Sequence, residues 1–153
     1  MHNIKTTKTE NRESNQAIRR DPSGWKEKVS RMSVDEKGRW GEDAAASYYA
    51  SRGFQILERN FHCPFGEIDL IVGRGDCLRF VEVKARTRST YGRPADFVDR
   101  RKRNKIRRTA FHFLSRFEGR ERWTYYLFDV VEVSLSEGRI HCIPNAFALK
   151  EGA

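Results

Sequence analysis

Short runs of apolar residues, interrupted by polar residues at alternate positions, predict β-strands in the middle of the chain. Three such segments, residues 54–61, 66–73 and 77–86, follow one another closely. Two later segments, WTYYLFDVVEVSL and RIHCIP, flank a Ser-Glu-Gly turn and predict two further strands. The pattern therefore predicts five strands, the first three of which are joined by short loops.

Helical signals precede the first strand. Ser33 and Glu36 form a capping box, an Ala-rich run follows, and Gly53 supplies a C-terminal stop. Three residues recur at helical spacing and are expected to face a core. They are Trp40, Ala44 and Tyr48.

A second helix is predicted over residues 99 to about 117, between the third and fourth strands. Its apolar stripe consists of Ile106, Ala110, Phe113, Leu114 and Phe117. Strands joined by short loops pair in antiparallel fashion, whereas a helix before the fourth strand allows a parallel crossover. The order therefore predicts an α/β fold, with a mixed five-stranded sheet flanked by helices.

The chain has 153 residues, enough for one domain with an ordinary core. Residues 1–33 are poor in apolar side chains, contain the turn signal DPSG and hold 8 basic and 4 acidic residues. We expect this basic N-terminal arm to be largely disordered, with a short helix near Trp25. An arm of this kind can grip phosphate, but it is more often a solvated tail. Residues 34–153 are expected to form the folded domain.

Cysteine usage and hydropathy restrict the cellular setting. Cys63, Cys77 and Cys142 are odd in number and form no CxxC pair, which argues against a disulfide framework and a cysteine-based zinc site. No apolar run approaches the roughly 20 residues that span a bilayer, and the N-terminus has no apolar signal segment. We therefore expect a cytoplasmic protein with free thiols and no membrane partner.

Positive charge is concentrated in one segment. The formal net charge is +9, and residues 99–108 alone contain seven basic residues and one acid. Such clustering favours a polyanionic partner, in particular nucleic acid, over a merely solvated basic face. The candidate phosphate contacts are Arg86, Arg88, Arg93, Arg100, Arg101, Lys102, Arg103, Lys105, Arg107 and Arg108. Tyr91 could stack on a base, although an ordinary loop aromatic is equally consistent.

The hairpin of residues 66–86 places charges within two otherwise apolar strands. Side-chain alternation assigns Ile68, Leu70 and Val72 to one face and the charged positions to the other. On the second strand, the charged residues Glu67 and Asp69 share this other face with the apolar residue Ile71. A purely solvent-exposed charged face is the alternative, and Glu67 opposite Lys84 would suit it.

The register is also consistent with a second use of these charges. If Asp69 pairs with Glu82, then Ile71 faces Phe80 and Arg74 to Cys77 form a turn of normal length. Like charges directly opposite each other destabilise a sheet unless something compensates them. Two converging carboxylates suit Mg²⁺ or Mn²⁺, and Lys84 projects to the same side as Glu82. From the register alone, the metal site and the exposed face remain equally supported.

Asp69 followed by Glu82-Val83-Lys84 resembles the core motif of the PD-(D/E)XK nuclease superfamily, which includes the archaeal Holliday-junction resolvases. More closely, GEDAAASYYASRGFQILERNF, GEIDLIV, FVEVKARTR and YGRPADFVDRRKRNKI resemble the YraN-like bacterial family of the same superfamily. The resemblance runs from about residue 38 to the last strand. It implies a restriction-endonuclease-like core with the order α-β-β-β-α-β-β.

The resemblance also implies an active site. The set carried over by position is Glu42, Asp69, Glu82 and Lys84, with the three acids as metal ligands and Lys84 supporting the attacking water. Ile68 stands where the superfamily has Pro. Glu67 could bind metal through water, pair with Lys84 or serve the fold, and Asp129 is expected to be a buried structural acid with a basic partner.

These expectations lead to one main hypothesis and two rivals. The main one is a Mg²⁺- or Mn²⁺-dependent endonuclease acting on DNA, with branched or junction DNA and a homodimer suggested by the likeness to resolvases. The first rival is a non-catalytic nucleic-acid-binding module on a nuclease scaffold. The second is a protein-interaction adaptor, which leaves the basic cluster without a purpose.

Overall fold

The computed structural model describes residues 24–88 and 98–149. In these residues the predicted order of elements is confirmed, with one additional helix before it. The helices are α1 (Trp25–Arg31), α2 (Val34–Ser51) and α3 (Arg100–Arg116), with a 3-10 turn at Arg120–Arg122. The strands are β1 (Gln55–Cys63), β2 (Gly66–Arg74), β3 (Cys77–Arg86), β4 (Tyr125–Ser134) and β5 (Arg139–Phe147).

The strands form one mixed sheet in the order β1-β2-β3-β4-β5. β1, β2 and β3 pair in antiparallel fashion through short turns, and β4 and β5 do the same. β3 and β4 are parallel, because α3 carries the chain back across the sheet between them. The α/β fold class with a mixed five-stranded sheet is therefore confirmed, and it is consistent with a restriction-endonuclease-like core.

Two apolar clusters cover the two faces of the sheet. On one face, α2 packs Ala45 and Tyr48 against Leu70 and Val81 of the central strands. On the other face, α3 buries three residues of its apolar stripe against the sheet. These are Ile106, Ala110 and Phe113, in contact with a cluster that includes Ile71, Phe80 and Phe128. The sheet is thus enclosed between helices, as the order of elements predicted.

The helix boundaries follow the predicted capping chemistry. The Ser33 side chain accepts a hydrogen bond from the Glu36 N–H while the Glu36 carboxylate accepts one from the Ser33 N–H, so the capping box is present. α2 stops where Gly53 adopts a φ of 81°, a left-handed conformation that favours glycine. At the start of α3, the Asp99 side chain accepts from the Lys102 N–H at 2.8 Å.

Residues 24–33, which the sequence assigned to the arm, pack against the domain. Val29 is fully buried, and Trp25 Nε1 donates a hydrogen bond of 2.6 Å to the Leu135 carbonyl. The predicted short helix near Trp25 is confirmed, but the folded part begins before residue 34. Residues 1–23 lie outside the described residues. Trp40, expected in the core, is 40% exposed and makes an edge-to-face contact with Trp25 instead.

The predicted assignment of Ile68 to the face of Leu70 and Val72 is wrong. Ile68 belongs to the cluster on the α3 side, together with Ile71, so alternation along β2 is interrupted between them. The interruption coincides with Asp69, whose side chain bonds the backbone of β3.

Two observations bear on the expected cellular setting. All three cysteines are free thiols. Within the described ranges, no helix combines the length and the apolar composition needed to cross a membrane.

Candidate functional site

The β2–β3 hairpin has the predicted register at its apolar pairs, but the predicted pairs Asp69–Glu82 and Glu67–Lys84 are not part of the ladder. Leu70 pairs with Val81 and Ile71 with Phe80, so Asp69 and Glu82 are the first residues beyond the last pair. Both strands nevertheless continue, β2 back to Gly66 and β3 forward to Arg86. The two strands therefore separate at this end of the sheet. We call residues 66–69 and 82–86 the open end of the hairpin.

Asp69 lies where the strands separate. Its Oδ2 accepts a hydrogen bond of 2.7 Å from the Val83 N–H. A carboxylate thus takes the acceptor role that a β2 carbonyl would fill if the ladder continued. This bond fixes the Asp69 side chain beside β3, close to Glu82.

Other acids surround Asp69. Burial and the negative charge of Glu82 raise the pKa of Asp69 to about 7, against the opposing effect of the Val83 hydrogen bond. Glu42 and Glu67 raise this pKa further by their charge. Three other carboxylates therefore lie within electrostatic reach of Asp69, which without a compensating cation retains a proton near neutral pH.

Glu82 is 6% exposed and lies beside two ammonium groups. Its Oε1 is 3.3 Å from Lys84 Nζ and 3.5 Å from Lys102 Nζ. Lys84 follows two residues later on the same strand and so projects to the same side. Lys102 comes from the first turn of α3, which brings the start of the basic helix to the open end.

The Glu67 side chain makes its contact elsewhere. Its Oε2 is 3.3 Å from His62 Nδ1, and the two residues are register partners on β1 and β2. The Lys84 ammonium lies at Glu82 rather than at Glu67. Glu67 therefore has a contact within the fold, and its binding of a metal through water stays a prediction.

Glu42 reaches the site because α2 approaches β3 very closely at Gly41. A Cβ at position 41 would lie 2.6 Å from the Ala85 Cβ, so this approach requires glycine. The next residue, Glu42, is half-buried, and its charge acts on Asp69. Asp43 is exposed and forms an ion pair with Arg59 on β1. Glu42 rather than Asp43 is therefore the α2 acid that can act at the open end.

The predicted basic contacts fall into different environments. Arg86, the last residue of the open end, and Arg88 shortly after it are exposed. On α3, an open groove of about 770 Å³ is lined largely by basic side chains. Its lining residues are Arg100, Arg101, Asn104, Lys105, Arg107, Arg108 and Phe111. Arg93 and Tyr91 lie outside the described residues.

Arg103 and Arg107, which are among the predicted phosphate contacts, donate hydrogen bonds within the fold. Arg107 is 8% exposed, and its Nε donates to the Ala148 carbonyl at 2.9 Å. Arg103 Nε donates to the Val98 carbonyl at 2.9 Å, but the side chain is only partly buried. The Arg107 guanidinium ties α3 to the segment after β5, while its contact with phosphate stays a prediction.

The sequence alone did not single out Glu132. This acid is buried on β4 and is the register partner of Lys84 across the parallel β3–β4 pair. The available signal was a charge in the apolar run DVVEVS, where every neighbouring position is buried. Such a charge in a buried strand normally has a partner.

The donor chemistry at the open end fits a divalent cation in part. Within residues 24–88 and 98–149, no group of three or more His, Cys, Asp or Glu side chains is arranged to hold a metal. Mg²⁺, however, is commonly bound by one or two carboxylates, with water and substrate phosphate completing the shell. Asp69 and Glu82 would supply those carboxylates, and a cation between them would relieve the repulsion that raises the Asp69 pKa.

Comparison with known sequences gives one consistent result. The model of the uncharacterised protein family UPF0102 matches residues 41–133, which include all four candidate site residues. A UPF0102 protein of Clostridioides difficile is 41% identical over 116 residues, covering 76% of this chain and 100% of that protein.

Two further relatives give a similar picture. A UPF0102 protein of Moorella thermoacetica is 45% identical over 83 residues, covering 54% of this chain and 69% of that protein. One from Syntrophomonas wolfei is 39% identical over 117 residues, covering 73% of this chain and 97% of that protein.

Proposed function

We propose that this chain, which belongs to the uncharacterised protein family UPF0102, the YraN-like family, is a metal-dependent nuclease that hydrolyses phosphodiester bonds in DNA. The supporting observation is the meeting of Asp69, Glu82 and Lys84 at the open end, where the basic helix α3 also begins. The likeness to the PD-(D/E)XK nucleases is a separate argument for the same chemistry.

Each residue has a defined task in this proposal. Asp69 and Glu82 hold Mg²⁺ or Mn²⁺, and the charge of Glu42 strengthens the site. When bound, the ion supplies Lewis-acid polarisation of the phosphate and lowers the pKa of a coordinated water. Lys84, 3.3 Å from Glu82, orients the attacking water and neutralises negative charge that develops on the phosphate.

The substrate is held mainly through its backbone. The exposed arginines and lysines of the open end and of α3 contact phosphates, which gives sequence-independent and salt-sensitive binding. We further propose a cytoplasmic protein whose substrates include branched or junction DNA. A homodimer would present two sites to such a junction.

A cleavage assay with matched variants tests this function. Plasmid and four-way-junction DNA are incubated with the protein in Mg²⁺, Mn²⁺ or EDTA. Wild type is expected to cleave only with metal, and Asp69→Asn and Lys84→Ala to lose activity by about 100-fold or more, as when a group that stabilises the transition state is removed. Asp76→Asn, in the exposed β2–β3 turn, is the control and should cleave like wild type. Equal cleavage by wild type and Asp69→Asn would refute the proposal.

The second candidate function is a non-catalytic nucleic-acid-binding module on the same scaffold. The observation that favours it is the occupation of Glu82 by two ammonium groups, together with the absence of a three-ligand group in the described residues. Its signature would be a salt-sensitive gel shift with no cleavage in any metal. The same assay with single-stranded and double-stranded RNA decides between DNA and RNA.

A further inference from the structure

Two exposed phenylalanines flank the basic side of α3. Phe65, in the turn between β1 and β2, is 47% exposed, and Phe111, on α3, is 48% exposed. Single exposed apolar residues are common on protein surfaces, so exposure alone is no sign of a site. The relation of both rings to the same arginine is what distinguishes this pair.

Arg108 lies beside the Phe65 ring and lines the same groove as Phe111. Its guanidinium carbon is 5.9 Å from the centroid of the Phe65 ring. Arg108 also lines the α3 groove together with Phe111. A cation beside one ring and in the same groove as the other is the arrangement that binds bases by stacking and phosphates by charge.

The turn that bears Phe65 is held firmly against α3. A Cβ at Gly66 would lie 3.2 Å from Thr109 Oγ1 and 3.8 Å from the Lys105 Cβ. His112 also makes an edge-to-face contact with the Phe65 ring at 5.8 Å. Phe65 is thus positioned by α3 itself, as a preorganised stacking platform requires.

The groove has the charge of a polyanion site. Among the described residues, its lining contains five basic side chains and no acid. An apolar protein partner would leave the basic side chains unpaired, and an acidic protein would complement the charge but not the flanking aromatic rings. Duplex nucleic acid complements the charge, but its bases are stacked inside the helix. Unpaired nucleotides complement both features, because every base has an aromatic face to stack.

We infer that the α3 groove and Phe65 bind single-stranded nucleic acid. Bases stack on Phe65 and Phe111, while Lys105 and Arg108 hold the phosphates between them. The inference rests on the proposed function for its role, because it gives the nuclease a substrate with an unpaired segment beside the cleavage site. Arg108 lies six residues after Lys102, about 9 Å along the helix axis from the residue that contacts Glu82.

Binding in EDTA, where no metal-dependent cleavage can occur, tests the inference. The labelled probes are an oligothymidylate, an abasic oligonucleotide of equal length and a duplex. The binding of each probe is measured by fluorescence anisotropy. The variants are Phe65→Ala, Phe111→Ala and the double substitution. Tyr125→Ala is the matched control, because Tyr125 is 55% exposed but pairs with Cys77 at the opposite end of β3 from Glu82.

We expect each phenylalanine substitution to weaken oligothymidylate binding about tenfold, the size of one lost base–aromatic stack. Binding of the abasic oligonucleotide and of the duplex should change less than about twofold, because phosphate contacts remain. Phe111→Leu keeps the apolar volume without the ring and should behave like Phe111→Ala. Urea unfolding of each variant at the wild-type midpoint shows that the fold is retained.

Three results would overturn the inference. They are unchanged oligothymidylate binding in the double variant, an equal loss on the abasic probe, and a changed oligomeric state without a change in binding. The last would assign the rings to a protein interface. Cleavage is scored separately in Mg²⁺ with wild type and Asp69→Asn. If the phenylalanines are needed for oligothymidylate binding but wild type does not cleave, the nuclease proposal is refuted and the inference stands. If wild type cleaves but the phenylalanine variants bind oligothymidylate as wild type does, the inference is refuted and the nuclease proposal stands.

Discussion

Asp69 on β2 and Asp129 on β4 are both acids within the central sheet, yet their surroundings differ. Asp129 is 1% exposed, and its oxygens accept hydrogen bonds from the Tyr49 hydroxyl at 2.6 Å, Arg79 Nη1 at 3.1 Å and the Asn145 N–H at 2.9 Å. Its negative charge is matched by the Arg79 guanidinium. The sequence-based prediction of a buried structural acid with a basic partner is confirmed.

The surroundings of Asp69 contain more acids than hydrogen-bond donors. It accepts one backbone hydrogen bond from Val83, and its charged neighbours include Glu82, Glu42 and Glu67. A buried acid supplied with donors and a cation stabilises a fold, whereas an acid placed among other acids retains capacity for an external cation. The comparison therefore separates a structural acid from a candidate ligand within one sheet.

The largest effect is expected from Asp129→Asn. Removing the charge leaves Arg79, with a side chain only 14% exposed, without its ionic partner. Breaking a buried pair in this way costs about 3–5 kcal/mol. Urea unfolding should show a much lower midpoint, whereas Tyr49→Phe, which removes one hydrogen bond, should lose about 1–2 kcal/mol. A wild-type midpoint for Asp129→Asn would remove the contrast between the two acids.

The next effect is stabilisation by metal. If Asp69 and Glu82 hold Mg²⁺ or Mn²⁺, a metal concentration of 100 times the dissociation constant should stabilise the fold by about 2.7 kcal/mol. Asp69→Asn and Glu82→Gln should abolish the gain in melting temperature. Glu67→Gln should retain most of it, because the Glu67 side chain contacts His62. The same gain in Asp69→Asn as in wild type would place the metal elsewhere.

A smaller effect is expected in the pH dependence of stability without metal. Because the pKa of Asp69 is raised from 3.8 to about 7, the folded protein binds a proton that the unfolded chain has released above pH 4. Stability from this group is therefore present at low pH and lost as pH rises from about 4 to 7. In melting experiments across this window, Asp69→Asn should lack that decline. A decline of equal size in the variant would assign it to another group.

The smallest effect is expected from Lys102→Ala. Lys102 contacts Glu82 and lies at the start of the basic helix, so its loss should weaken nucleic-acid binding severalfold and reduce the salt slope by about one. Lys102→Arg should restore the slope. Lys26→Ala, exposed on α1, is the charge-matched control. Equal losses in Lys26→Ala and Lys102→Ala would mean that net charge, rather than position, determines binding.

Much of this arrangement could be predicted locally. The hairpin register follows from the alternation of charge and apolar residues, and the limits of α2 follow from Ser33, Glu36 and Gly53. The choice between Glu42 and Asp43 did not follow from the residues, because both are acids in the same turn of a helix. It depends on the rotation of α2 against β3, which the contact between Gly41 and Ala85 sets.

Two further features have the same origin. Arg107 carries the same charge as its neighbours in a basic run, but α3 turns it towards Ala148. Ile68 follows the two-residue period of β2 in the sequence, but it packs on the α3 side of the sheet together with Ile71. Neither event has a signal in the local pattern, since each depends on a partner far along the chain.

The sequence by itself determined the five strands and the two principal helices, the register of the hairpin and the concentration of positive charge in α3. These features depend on periodicity, capping and short turns, which involve residues close together in the chain. Only the tertiary structure decided which acid of α2 acts on Asp69, that Lys102 reaches Glu82, and that Phe65 lies beside Arg108. Those contacts arise when helices and strands distant in sequence pack together, and packing fixes distances and rotations that no local pattern contains.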